Sequence, residues 1–172
     1  MGVFSALFGP PAPTSPSPEM RLLRYFCETS VPPTDYTVLD LETSGLDACT
    51  CEILEIGAIR YKNHRAVGQY HTFVRPEGFI PRDASRVNHI TWGTVCKAPY
   101  FFEVSGRLIE FLGNDVIVGF NVSFDMRFLQ TRLGKGIKNP AFDVLSFVKE
   151  TEPNLPHYKL DNLRRHFHVG GI

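Results

Sequence analysis

Apolar positions along this chain alternate between two periods, one of two residues and one of three to four. The first period dominates early. Tyr36 to Leu41 is rich in β-formers and flanked by turn residues, as a buried strand requires. Ile53 to Tyr61 follows, with Leu54, Ile56 and Ala58 alternating with Glu55, Gly57 and Ile59. His64 and Arg65 read as a turn, and a third strand runs from Val67 to Val74. Such short links predict antiparallel neighbours. Residues 75–99 are irregular, punctuated by Pro76, Pro81 and Pro99, and carry short helical turns. The longer period then takes over. Val104, Leu108 and Phe111 or Leu112 predict a helix over Phe102 to Leu112, ended by Gly113-Asn114. Val116 to Val118 is a short buried strand, followed by a helix from Val122 to Leu133 with Asn121 placed to cap it. Phe124, Phe128 and Leu129 form the buried stripe of that helix. Phe142 to Val144 is a last strand, leading into a helix that ends near Glu150. A final helix spans Leu160 to Phe167, with Leu160, Leu163 and Phe167 on one face. Antiparallel strands followed by strand–helix alternation predict an α/β domain with a mixed sheet.

The N-terminal segment differs. Residues 9–18 are dominated by proline, which lacks an amide donor and fixes φ, so residues 1–18 read as a disordered tail. Residues 19–35 read as a short helix and linker, with Met20, Leu23 and Cys27 on one side and Val31-Pro32-Pro33 breaking it. The folded domain is then expected over 36–172.

Composition narrows the class. The 172 residues carry no net charge and include 14 Phe, enough for a substantial core and unlike a protein that coats nucleic acid by charge alone. Of the four cysteines, Cys49 and Cys51 form a C-x-C without a second pair at zinc spacing, so free thiols in a reducing cytoplasm are expected for them and for Cys27 and Cys96. No run reaches the roughly 18 apolar residues of a membrane span, and Met1 to Phe8 lacks a basic n-region, so no membrane association is expected.

Two acids end the first strand. Asp40 and Glu42 are two positions apart, hence on one face, with Cα atoms about 6.5 Å apart. Like charges so placed repel unless something positive lies between them, and a divalent cation meets that need. A bare Asp-x-Glu also reads as a solvated strand end. Here Thr43-Ser44-Gly45-Leu46 follows, and a second segment, Val118 to Asp125, lies downstream. Asp125 falls in the first turn of its helix, where the macrodipole favours a carboxylate that stays ionised, although it also serves simply to start the helix. The three acids are hard oxygen donors of the kind Mg²⁺ or Mn²⁺ prefers.

Asp40-Leu41-Glu42-Thr43 with the following Ser-Gly-Leu resembles the first motif of the DnaQ-like (DEDDh) 3′→5′ exonucleases, a family that includes the epsilon proofreading subunit of bacterial DNA polymerase III. Gly119-Phe120-Asn121-Val122-Ser123-Phe124-Asp125 resembles the second. Ile80-Pro81, Ile90-Thr91, Ala98-Pro99 and Phe102-Glu103-Val104 follow the family pattern between them, and Tyr158 to Leu163 resembles the approach to the third. The resemblance runs from Tyr36 to Phe167. It implies a ribonuclease H-like fold, a mixed five-stranded sheet flanked by helices, and phosphodiester hydrolysis with two Mg²⁺ or Mn²⁺ ions. It further implies that Asp40 bridges both ions while Glu42 and Asp125 complete their shells. Thr43 and Leu46 would lie beside the terminal nucleotide, and Asn121 would contact substrate, cap its helix, or both. The implied substrate is a single-stranded 3′ end of DNA, with RNA an alternative, and the implied partner a DNA polymerase.

Departures from the pattern are specific. The third motif has a histidine with an aspartate five residues later; here His157 is followed at that offset by Asn162 and His166 by Gly171. The tyrosine variant fails too, since Tyr158 has Asn162 four residues on. His166 and His168 sit before the place where the motif begins, so the chain is expected to stop short of it. Phe120-Asn121 replaces the family's His-Asn, and Asn88-His89-Ile90 its His-Gly-Ile. Asp143 is expected to be structural and Asp161 solvated. The competing expectation is a ribonuclease H-like nucleic-acid-binding module, catalytically impaired for want of the third motif.

Overall fold

The computed structural model describes residues 34–169, so the expected tail, the short helix after it and Cys27 lie outside the described residues. In chain order the elements are β1 (Tyr36–Thr43), β2 (Ile53–Lys62), β3 (Arg65–Phe73), α1 (Arg82–Asn88), α2 (Trp92–Val95), α3 (Phe101–Leu112), β4 (Val116–Gly119), α4 (Val122–Leu133), a 3₁₀ turn (Gly134–Gly136), β5 (Ala141–Asp143), α5 (Val144–Thr151) and α6 (Leu160–His166). The strands form one five-stranded sheet in the order β3-β2-β1-β4-β5. β1, β2 and β3 are antiparallel neighbours, and β4 and β5 run parallel to β1, which gives the expected mixed sheet.

Arg65 begins β3 instead of sitting in the preceding turn. The turn closes on Asn63 and His64 alone, both at positive φ (49° and 60°). A two-residue turn with both central residues left-handed matches the twist of a hairpin, and asparagine tolerates that conformation well.

Alternation along β1 sorts its two faces. Leu39 and Leu41 pack with Ile56 and Ala58 of β2 beneath Val104, Leu108 and Leu112 of α3 and Val122, Met126, Phe128 and Leu129 of α4. Tyr36 and Val38 point the other way and pack with Val118, Phe142 and Phe147. Tyr36 also stacks on its cross-strand partner Tyr61, centroids 4.9 Å apart. Asp40 and Glu42 continue this second face, so it turns from apolar to acidic as β1 approaches its C-terminal end.

β1 outruns β4. Their pairing ends at Val38↔Val118, whereas pairing with β2 continues to Glu42↔Glu55 and, across an irregularity, to Thr43↔Ile53. The last residues of β1 therefore lack a strand on the β4 side, and the loop leaving Gly119 closes over that gap. A Cβ built on Gly119 would lie 3.1 Å from the Leu39 carbonyl oxygen and 3.0 Å from Val122 Cγ2. Gly119→Ala is expected to cost about 1–3 kcal/mol through overpacking against backbone that cannot easily move. Urea unfolding checks this, with a lower midpoint at unchanged m-value as the expected result.

Candidate active site

Asp125 crosses the gap left by the short β4. Its Oδ1 accepts the Leu41 amide at 3.0 Å, a buried bond between the first turn of α4 and the backbone between Asp40 and Glu42. Leu41 would otherwise present an unpaired N–H on the open side of β1, and buried backbone donors are rarely left so. The three acids, far apart in sequence, are thereby brought to one corner of the sheet. Asp125 is 5 % exposed, and Asp40 and Glu42 are half-buried.

All three carboxyls are driven toward the neutral form. Burial, then the charge of Glu55, raises Asp40 to about 6. Burial, then Asp40 and Glu55, raises Glu42 to about 7. Burial, then Asp40, raises Asp125 to about 8, while the Leu41 amide pulls the other way. No lysine or arginine figures among these influences. The helix macrodipole was expected to keep Asp125 ionised; here burial and the facing acid outweigh it.

Asn121 departs from the expected cap. It is left-handed (φ 59°, ψ 41°), and its side chain makes no capping bond to α4. Its amide instead donates to Asp143 Oδ1 at 2.9 Å, an oxygen that also takes the Leu145 amide at 3.0 Å, and Ser146 Oγ donates to Asp143 Oδ2 at 3.3 Å. Asp143 is therefore structural, as expected, and fixes the turn that carries Asn121. Thr43 is buried, its hydroxyl donating to the Gly45 carbonyl at 2.7 Å and its own carbonyl accepting Asn88 Nδ2 at 3.1 Å. Leu46 is 84 % exposed in the loop beyond. Phe124 packs against the core and Phe128. His166 stacks edge-on against Phe167 at the end of α6, and His168 follows at a φ of 51°. Cys49, Cys51 and Cys96 are free thiols.

Glu55 escaped the sequence reading. It lies in β2 directly opposite Glu42, 3 % exposed, with His71 of β3 bonded to its Oε1 at 2.6 Å. Its only signal in the sequence was an acid within the apolar run Ile53 to Ile59.

Among the described residues, no group of three or more His, Cys, Asp or Glu side chains is arranged to hold a metal ion as placed; Asp125 Oδ1 is turned to the Leu41 amide. In donor chemistry the acids nonetheless fit a hard divalent cation. They are oxygen-only and repel one another, and among the described residues no basic side chain offsets them.

Residues 37–172 match the family described as exonuclease. The chain belongs to the exonuclease family. The match marks it as a nuclease domain. This exonuclease domain is 34 % identical over 138 residues to the PolC-type DNA polymerase III of Clostridium perfringens, covering 78 % of the chain and 10 % of that protein. It is 32 % identical over 138 residues to the DNA polymerase III epsilon subunit of Treponema pallidum, covering 77 % of the chain and 64 % of that subunit. The chain thus spans about a tenth of the PolC-type relatives it matches. Solved structures agree on the fold. Exonuclease X in complex with 5′ overhanging duplex DNA superposes with TM-score 0.61 at 22 % identity, covering 76 % of this chain and 72 % of that one. A product-bound exonuclease I superposes with TM-score 0.70 at 16 % identity, covering 80 % and 39 %. The exonuclease domain has the ribonuclease H-like fold.

Carboxyls with raised pKa keep protons in the folded domain that the unfolded chain has already released. Their contribution to stability is whole below the ordinary carboxylate range and is lost as pH climbs through about 6, 7 and 8. In metal-free buffer the melting temperature is therefore expected to fall between about pH 5 and about pH 8.5. Asp125→Asn, which keeps an acceptor for the Leu41 amide, should recover roughly 5 °C at the higher pH. Thermal melts followed by circular dichroism across a pH series check both.

Proposed function

We propose that this domain is a metal-dependent 3′→5′ exonuclease that removes nucleotides from the 3′ end of single-stranded DNA, in the manner of a proofreading domain. The observation that carries the proposal is the meeting of Asp40, Glu42 and Asp125 at one corner of the sheet, joined through the Leu41 amide. Two divalent ions, Mg²⁺ or Mn²⁺, supply charge that neutralises the scissile phosphate and lowers the pKa of the attacking water when bound. Asp40, Glu42 and Asp125 would together hold the pair, by likeness to the family. The protein's part is to hold these carboxylates on a strand and a helix start that are already fixed.

Thr43 ends β1 next to Glu42, and Leu46 follows in the loop beyond. The Thr43 hydroxyl is committed to Gly45, so its methyl and backbone are what it offers a nucleotide. Leu46 presents an exposed apolar side chain to a base. Asn121 is exposed, and its amide is anchored by Asp143, so its side chain is held near the start of α4 for a substrate contact. A DNA polymerase is the proposed partner, by likeness to relatives named as a PolC-type DNA polymerase III and a DNA polymerase III epsilon subunit. Among the described residues no helix is long and apolar enough to cross a membrane, and the proposed setting is the cytoplasm.

A second reading, a nucleic-acid-binding module without activity, rests on Asn162 and Gly171, which stand five residues after His157 and His166 where the third motif has its aspartate. One experiment separates them. With enzyme in excess, Mn²⁺ and 5′-labelled single-stranded DNA, the exonuclease reading expects a ladder shortened from the 3′ end. It should form slowly for want of the third-motif base, and Asp40→Ala should abolish it. Binding of the strand with no metal-dependent shortening supports the second reading. A labelled RNA strand run alongside decides between the nucleic acids.

A further inference from the structure

Glu55 is a buried acid that the proposed mechanism does not use. Its side chain is 4 % exposed, yet it stands opposite Glu42 on the face that also carries Asp40. Like charges directly opposite across a strand pair are unfavourable. The neighbouring row of the sheet runs Asp40, Gly57, His71, and Gly57 adds no side chain of its own between them. His71 Nε2 and Glu55 Oε1 share a hydrogen bond of 2.6 Å. The other oxygen, Oε2, is buried with no hydrogen-bond partner among the described residues. A carboxylate oxygen left so is costly unless positive charge arrives. The charge of Glu55 reaches both Asp40 and Glu42.

We infer that Glu55, anchored by His71, is a fourth carboxylate serving the Asp40–Glu42–Asp125 corner, a positioning residue whose buried, unpartnered oxygen strengthens the hold of that corner on a divalent cation. The inference rests on the reading of the corner as a cation site. Glu55 acts through the acids beside it and does not touch the scissile phosphate. His71 keeps the Glu55 side chain turned in its pocket.

The test is Mn²⁺ binding to the purified chain, read by electron paramagnetic resonance of free Mn²⁺, with melting temperature measured on the same samples in metal-free buffer. Glu55→Gln is expected to weaken Mn²⁺ binding about tenfold or more, the usual scale for a residue that supports metal ligands without being one. Its melting temperature should hold or rise, because one of two facing charges is gone. His71→Ala, at a half-exposed position where loss of fold is not expected, should weaken binding several-fold by releasing Glu55, and it stands in if Glu55→Gln does not fold. Asp40→Asn should abolish binding. Unchanged Mn²⁺ affinity in Glu55→Gln and His71→Ala, with binding lost in Asp40→Asn, overturns the role of Glu55 and leaves the cation site standing. A wild-type chain that binds no Mn²⁺ overturns both.

Discussion

The hydrogen bond from the Leu41 amide to Asp125 holds the acid corner together. It exists because β4 is four residues long and β1 is eight. The parallel partner stops at Val118, and the exposed flank of β1 needs an acceptor that no strand provides. A helix start supplies it, and in doing so delivers a third carboxylate to a place where two already stand. Sheet geometry and site chemistry are thus the same fact: lengthening β4 would satisfy Leu41 with a carbonyl and leave Asp125 without its anchor.

The two ends of the sheet treat negative charge in opposite ways. At the far end Asp115 is tied down completely. It accepts Thr37 Oγ1 at 2.7 Å and Arg60 Nε at 2.8 Å, with Lys62 Nζ at 3.8 Å. Arg60 in turn lies over the Phe111 ring. That acid is neutralised within the fold and is a brace. At the other end Asp40, Glu42, Glu55 and Asp125 share one corner, and among the described residues His71 is the one side chain hydrogen-bonded to any of their carboxyls. Charge left unbalanced in one place, in a chain able to balance it in another, is what marks that corner as a candidate site.

Much of this was legible in the sequence because the relevant signals are local. Alternation placed Asp40 and Glu42 on one face, and helical spacing placed Asp125 one turn past Asn121. What stayed hidden depends on pairing. Glu55 alternates with Leu54 and Ile56, so periodicity put it on the correct face; only the register that sets it against Glu42, and His71 two strands away, shows that this face is closed over it. Asn121 was misread for a related reason. Asparagine favours both capping and the left-handed conformation, and the choice fell to Asp143, 22 positions along, which takes the Asn121 amide. The weight of burial on Asp125 was likewise invisible, since a helix start shows its dipole in the sequence but not the depth at which it lies.

Asp143 carries one more implication. Its Oδ1 receives two amides, from Asn121 at the turn after β4 and from Leu145 at the turn after β5. Those turns are consequently not separate parts. They share a single knot, and whatever displaces one tugs on the other, so a strand end settling near Asn121 would register at the root of α5 without touching it.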